Sequence, residues 1–193
     1  MTAATSGGLQ VHPATPERWD DLAQLAGPQG FHTGCWCLWW RTPNAELGQH
    51  VPGQAEAALR RLVDEGTQPG LLAYLDNEPV GWVALGPREV YRRLARTQKL
   101  QPVDDAPVWS VTCLFVAKAH RGSNVSETLL EAATHHATGA GATQLEAYPI
   151  DTAITGRLAA GRLSSGPLSL FLSVGFVEVT RRSGRPIVRR HLS

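Results

Sequence analysis

Arg121-Gly122-Ser123-Asn124-Val125-Ser126 is a run of small and polar residues between an apolar stretch and an apolar stripe at helical spacing. A small-residue loop that opens a helix presents unpaired backbone N–H groups at the positive end of the helix dipole, which suits the phosphates of a nucleotide. Arg121 supplies the charge for a charge-assisted contact to one of them. The same run also reads as a plain strand-to-helix turn. Further on, alternation along residues 143–148 puts Gln144, Glu146 and Tyr148 on one face and Thr143, Leu145 and Ala147 on the other. Glu146 has the chemistry of a general base, and Tyr148 that of a proton donor or a substrate-positioning group. The alternative is a solvent-facing Glu146 and a Tyr148 that only packs. Asp104, Asp105 and Asp151 are weaker carboxylate candidates, on segments that read as loops at strand ends.

The chain has six Trp, and Trp36, Trp39 and Trp40 cluster in one Gly- and aromatic-rich loop. Such a cluster suits a flat or apolar acceptor, or a cation held over ring faces; packing beneath a long loop is the equal alternative. Arg88, Arg92, Arg96 and Lys99 recur three or four apart, as one basic helix face would. That face is either solvated or in contact with an anionic partner. Cys35, Cys37 and Cys113 cannot all pair, and Cys35-Trp36-Cys37 is too tight for an ordinary structural disulfide. Reduced thiols are therefore expected, with Cys113 in the core rather than acting as a nucleophile. His32, Cys35, Cys37 and His50 match none of the common zinc spacings, so no metal is expected.

The elements that must position these groups follow from periodicity. Residues 9–12 read as a strand. Thr15 and Pro16 then open a helix carrying Trp19, Leu22, Ala23 and Ala26, which Gly27-Pro28 stops. A second helix starts near Pro52, with Ala55, Ala58, Leu59, Leu62 and Val63 on one stripe, and ends at Gly66. Residues 71–75 and 80–85 form a hairpin around Asp76-Asn77-Glu78-Pro79. Residues 88–100 read as a short basic helix, and 108–116 as a central buried strand. A helix follows with Val125, Leu129, Ala132, Ala133 and Ala137 on one face, ended by Gly139 and Gly141. Then come a strand at 143–148, a Gly/Ser-rich loop at 156–166, a short helix at 168–174, and strands at 176–180 and around 187–190.

The chain has 193 residues, 42% hydrophobic and 18% charged, with a net charge of +1. This is the composition of a globular protein large enough to bury a core without disulfides, and it argues against a uniformly basic polyanion binder. One domain spanning 1–193 is expected, with an N-terminal part at 1–66 and a core at 71–190. No apolar run approaches the roughly 20 residues of a membrane span, and the opening residues carry no export pattern, so a cytoplasmic location is expected.

The strand feeding Arg121 to Ser126, the following Glu127-Thr-Leu-Leu-Glu131, and the later Leu170-Phe-Leu-Ser-Val-Gly-Phe-Val177 stand in one order. Together they resemble the GNAT superfamily of N-acetyltransferases, over roughly residues 71–188. The family's central motif is a strand, then Arg/Gln-x-x-Gly-x-Gly/Ala, then a helix; its later motif ends in Gly-Phe at the start of a strand. The resemblance implies an α+β fold of α/β-type three-layer form. Its mixed, mostly antiparallel central sheet has about six to seven strands flanked by helices, with a splayed central strand pair. It implies that the pantetheine arm of acetyl-CoA lies in that splay against backbone groups of Leu114, Phe115 and Val116. The pyrophosphate then lies over Arg121, Gly122, Ser123, Asn124, Val125 and Ser126.

Two departures stand out. Asn124 and Ser126 replace the family's Gly and Gly/Ala, and Phe171 stands where many relatives place a Tyr that reprotonates the leaving thiolate. The resemblance implies an acyl-CoA-dependent N-acyltransferase acting on a small-molecule or peptide amine, in a monomer or homodimer. In the family the aromatic loop's place often borders the acceptor pocket, which makes Trp36 and Trp40 the acceptor-binding candidates. Two alternatives remain: an aminoacyl- or acyl-tRNA donor, as in leucyl/phenylalanyl-tRNA–protein transferases, or a degenerate ligand-binding domain. The charge is uneven, −5 over residues 1–80 and +6 over 81–193, which suits an anionic donor in the second half.

Overall fold

The structure is a computed structural model that describes residues 8–31, 35–42, 53–155 and 164–192. His32, Gly34, His50, Pro52 and the stretch at 156–163 lie outside the described residues. In chain order the elements are β1 (Leu9–Pro13), α1 (Trp19–Ala26), α2 (Gln54–Asp64), β2 (Gly70–Leu75), β3 (Glu78–Pro87), α3 (Arg92–Arg96) and β4 (Trp109–Val116). There follow α4 (Val125–Gly139), β5 (Gln144–Ala147), α5 (Thr152–Thr155), α6 (Leu168–Ser173), β6 (Val177–Arg182) and β7 (Arg185–His191). Among the described residues no helix is long and apolar enough to cross a membrane.

The strands make one seven-stranded sheet in the order β1-β2-β3-β4-β5-β7-β6. Every neighbouring pair is antiparallel except β4 and β5. A parallel pair needs a crossover, and α4 supplies it. Period-2 alternation divides the core. Leu71, Ala73, Val83, Val111, Leu145 and Ala147 face the helix side of α4 and α6. Leu72, Tyr74, Trp82, Ala84 and Cys113 face α1 and α2. The alternation expected at residues 143–148 is therefore the one observed, with Glu146 turned away from α4.

Both tight hairpins use two left-handed residues. Asp76 and Asn77 (φ +49° and +67°) join β2 to β3, and Ser183 and Gly184 (φ +48° and +79°) join β6 to β7. Turns of that hand match the twist of the flanking strands. Pro79 is accommodated because the ladder shifts register between Ala73 and Tyr74, at an irregularity where a missing donor is tolerated. Gly81 sets the height of α4: a Cβ there would lie 2.8 Å from Val125 Cγ1 and 2.9 Å from Leu129 Cδ1. The first turn of α4 therefore sits directly on the sheet beside β4.

The expected basic helix is divided into a 3-10 turn (Arg88–Val90), α3, and a second 3-10 turn (Gln98–Leu100). Tyr91 (ψ +67°) and Thr97 (ψ +107°) interrupt the helical backbone between them. The four basic residues therefore do not share one helix face, and the expected stripe does not form.

Candidate active site

The two central strands part early. β4 meets β5 only from Trp109↔Leu145 to Val111↔Ala147, whereas along β3 it continues to Val116. The β3–β4 ladder also shifts register between Ala84 and Leu85, opposite Thr112. Leu114, Phe115 and Val116 thus lie beyond the last β5 pairing. The segment at 164–168 runs into this opening. Leu114 N–H donates to Ser164 O at 2.7 Å, Ile150 N–H to Gly166 O at 2.9 Å, and Leu168 N–H to Ile150 O at 2.8 Å. Arg185 Nη2 anchors the segment through Ser165 Oγ at 2.8 Å, and Ser165 is buried.

At the mouth of the opening lies the loop into α4. The left-handed step falls on Gly122 (φ +83°), whereas Asn124 keeps φ −77°. An added Cβ at Gly122 meets no atom within 4 Å, so the dihedral and not the space selects glycine there. The Asn124 side chain makes no capping hydrogen bond, which leaves the first amides of α4 uncapped by it. Arg121 is exposed, with its Nε donating to Val116 O at 3.1 Å. Gly122, Ser123, Asn124 and Ser126 face Ser169 and Ser173 across a cavity of about 610 Å³. Its size and its uncapped amides fit an anionic group. Glu127 lines the same cavity, and its buried Oε2 has no hydrogen-bond partner among the described residues. A carboxylate there would be a like charge beside a bound phosphate. The fit of a coenzyme A moiety is thus good at the loop backbone and opposed at two points, Glu127 and the Leu114 N–H already engaged by Ser164.

On the α1–α2 face of the same strands sits a buried polar network. Glu146 is fully buried. Its Oε1 accepts from Arg88 Nη1 at 2.8 Å and from Tyr148 OH at 2.6 Å, and its Oε2 accepts from Arg189 Nε at 2.8 Å. Tyr148 OH also meets Ser110 Oγ at 2.8 Å and Arg88 Nη1. Burial, and then the Glu146 charge, push the Tyr148 phenol well above its usual range, so it keeps its proton. Two guanidiniums around one carboxylate compensate the buried charge, the condition under which such a charge is tolerated. The geometry therefore changes the part expected of Glu146. With both oxygens engaged and no exposed surface, it holds Tyr148, Arg88 and Arg189 in place and has no open face for an acceptor's proton.

Arg88 and Arg189 also border a cavity of about 340 Å³, with Tyr91, Asp104 and Asp105 among its walls. Arg189 Nη1 reaches Asp104 at 2.7 Å, which holds the Asp104 carboxyl below its usual range. Asp151 is held low in the same way by Arg181, at 2.7 Å.

The aromatic loop divides by residue. Trp36 is 5% exposed, stacked on Trp19 with ring centroids 6.0 Å apart and edge-on to Phe31. Its ring is spent on the core and is not offered to an acceptor. Trp40 is half-buried against the group around Tyr91 and Leu94. Trp39 is the exposed ring, with the Arg93 guanidinium 3.8 Å from its centroid. Phe171 is fully buried and edge-on to Phe176. Ser110 and Arg189 draw no assignment from the sequence, and Arg88 is read there only as part of the basic run. The spacing puts Arg88 on a basic face, solvated or against an anionic partner, whereas its partner in the structure is Glu146, 58 positions away.

The sequence profile of the acetyltransferase (GNAT) family matches residues 33–156. No curated protein matches in sequence. Among solved structures, an agmatine N-acetyltransferase variant in its apo form is similar at TM-score 0.61 and 13% identity, covering 96% of this chain and 100% of that one. A histone acetyltransferase and related acetyltransferase of Corynebacterium glutamicum is similar at TM-score 0.53 and 17% identity, over 96% and 97% of the two chains. The PaiA N-acetyltransferase of Thermoplasma acidophilum, solved in complex with coenzyme A, is similar at TM-score 0.50 and 13% identity, over 95% and 98%. These likenesses are of fold, and the fold carries the early parting of a parallel strand pair with a helix N-terminus at its mouth. With the profile spanning well over half of its length, the chain belongs to the GNAT family of acetyltransferases.

Proposed function

We propose that the chain moves an acyl group, acetyl by default, from acyl-CoA directly to an amine of a small molecule or peptide. The observation that carries this reading is the opening between β4 and β5, with the uncapped N-terminus of α4 and its 610 Å³ cavity at one end. The donor's phosphates would lie on the loop at Arg121, Gly122, Ser123, Asn124, Val125 and Ser126. Its arm would run along Leu114, Phe115 and Val116, taking the Leu114 N–H from Ser164. The amine attacks the thioester carbon, a C–N bond forms, the C–S bond breaks, and the thiolate leaves with coenzyme A. Tyr148 keeps its proton and donates a hydrogen bond to Glu146 Oε1 within the buried network, so its part in this reaction is that of a positioning residue. Glu146, Arg88 and Ser110 orient it. Removal of the acceptor's proton falls to solvent; Asp105 is an exposed carboxylate of the 340 Å³ cavity, which lies at the paired end of β4 and β5. Trp40, beside Tyr91, is the member of the aromatic loop nearest in packing to that cavity.

An aminoacyl-tRNA donor draws no support from the basic run, since Arg88 turns inward to Glu146 and the expected face is broken. The test is thiol release from acetyl-CoA across a panel of polyamines, amino acids, aminoglycosides and peptide N-termini. Release that depends on one amine class, with that amine gaining the mass of an acetyl group, is the expected result. No release above the protein-free rate with any amine or acyl-CoA would remove the reading.

A further inference from the structure

We propose that Cys37 and Cys113 form a dithiol that closes reversibly to a disulfide under hydroperoxide, with Cys35 as the entry thiol. Cys37 Sγ and Cys113 Sγ lie 2.9 Å apart although the residues are 76 positions apart in sequence. A disulfide needs about 2.05 Å, so closure asks the two sulfurs to move about 0.9 Å nearer. None of the three cysteines is in a disulfide in this structure.

The local backbone supports the assignment independently. Trp36 and Cys37 both adopt left-handed dihedrals (φ +44° and +55°), in a turn closed by Leu38 N–H donating to Cys35 O at 2.9 Å. Consecutive left-handed positions are ordinarily filled by Asn and Gly, and a bulky side chain there is strained. Such strain persists only where the surroundings fix it. Here the buried Trp36 ring does so, and the consequence is a Cys37 thiol aimed at strand β4. Cys113 meets it from the strand, paired with Ala84 and one residue before Leu114.

Cys37 and Cys113 are each 4% exposed, whereas Cys35 is only half-buried and its Sγ accepts from Cys37 N–H at 3.4 Å. Burial and the neighbouring Cys113 thiol push the Cys37 thiol well up, which leaves first attack to Cys35. The Cys35 thiolate attacks the peroxide oxygen, the O–O bond breaks, and an alcohol or water leaves, giving a sulfenic acid. The Cys37 thiolate displaces water from it to give a strained Cys35–Cys37 disulfide. The Cys113 thiolate then attacks the Cys37 sulfur and releases the Cys35 thiolate. In sum, two thiols and one hydroperoxide give one disulfide, one water and one alcohol or second water.

The test treats the full chain with one equivalent of hydrogen peroxide, alkylates it under denaturing conditions, digests it with trypsin and maps the peptides by mass. The expected product joins peptide 19–41 to peptide 100–118 through Cys37 and Cys113, with Cys35 alkylated, and a thiol reductant separates them. Joining through Cys35, or alkylation of both Cys37 and Cys113 in a protein that has consumed the peroxide, overturns the proposal. Cys35→Ser is expected to slow the joining by about tenfold or more while still allowing it; an unchanged rate removes Cys35 as the entry thiol. Closure between residues so far apart constrains the unfolded chain, so the oxidised protein is expected to melt several degrees higher. A lower melting temperature would mark the pair as non-native. None of these readouts depends on acyl transfer.

Discussion

Tyr148 is the residue that ties the buried polar network together. Its hydroxyl joins Glu146, Arg88 and Ser110 in a site with almost no exposed surface. Tyr148→Phe keeps the ring and its packing but leaves those three groups facing carbon. By misplacing the groups it positions it is expected to lower kcat by up to about 100-fold with little change in the KM for acyl-CoA, and to cost about 1–3 kcal/mol of stability from the unpaired partners. A kcat within about twofold of the parent would relegate Tyr148 to packing. Glu127 makes the opposite kind of case, because it lines the proposed phosphate cavity and its buried Oε2 has no hydrogen-bond partner among the described residues. Glu127→Gln removes a like charge and is expected to tighten coenzyme A binding about two- to fivefold at low salt, less at high salt. Weaker binding would show that the carboxylate serves the donor. Period-2 alternation was enough to put Glu146 and Tyr148 on one face. It could not supply Arg88, Arg189 or Ser110, which stand 58, 43 and 38 positions from their partners. Only the sheet order, which seats β4, β5 and β7 side by side, brings them together.

At the scale of elements, the opening between β4 and β5 and the segment at 164–168 form one device. Ser164 O occupies the Leu114 N–H that a donor's arm would use, so the segment competes with the donor for the same atom. Ser165→Ala removes the Arg185 anchor while leaving the Ser164 backbone in place. It is expected to tighten coenzyme A binding about two- to fivefold, the size of one modest hydrogen bond shifted from the free state. Weaker or unchanged binding would mean that the segment stays put when the donor enters. Most elements were legible, because β2, β3, β4 and the first two helices carry long, clean periods. The basic run misled because spacing of three and four holds only while the helix continues, and the backbone leaves the helix at Tyr91 and again at Thr97. The aromatic loop misled in part because a sequence shows that Trp36, Trp39 and Trp40 are neighbours but not which ring the fold buries. The segment at 164–168 gave no signal at all, since its bonding is made by backbone groups whose partners lie across the sheet.

Taken whole, the molecule is two oppositely charged halves, −5 over residues 1–80 and +6 over 81–193. The positive half contains the loop into α4 and both arginines around Glu146, in keeping with an anionic donor. The same charge distribution sets the response to acid. Burial depresses His136 and, with help from Arg18, His12. Arginine partners depress Asp104, Asp151 and Glu178. For each group the unfolded chain takes up a proton at a higher pH than the folded one, so the stability it contributes is present above the unfolded value and lost as pH falls. The melting temperature is expected to decline from about pH 6.5 downward, where histidine begins to titrate, and more steeply below about pH 4.5. A constant or rising melting temperature between pH 7 and pH 4 would contradict these couplings. The central claim, that the opening beside β4 receives an acyl-CoA, is tested most directly by calorimetry of the full chain with acetyl-CoA and with coenzyme A. One site per chain is expected for each, with a Kd between about 1 μM and 1 mM, the range in which enzymes hold KM. No heat of binding at millimolar ligand, from protein whose circular dichroism shows it folded, would contradict the account.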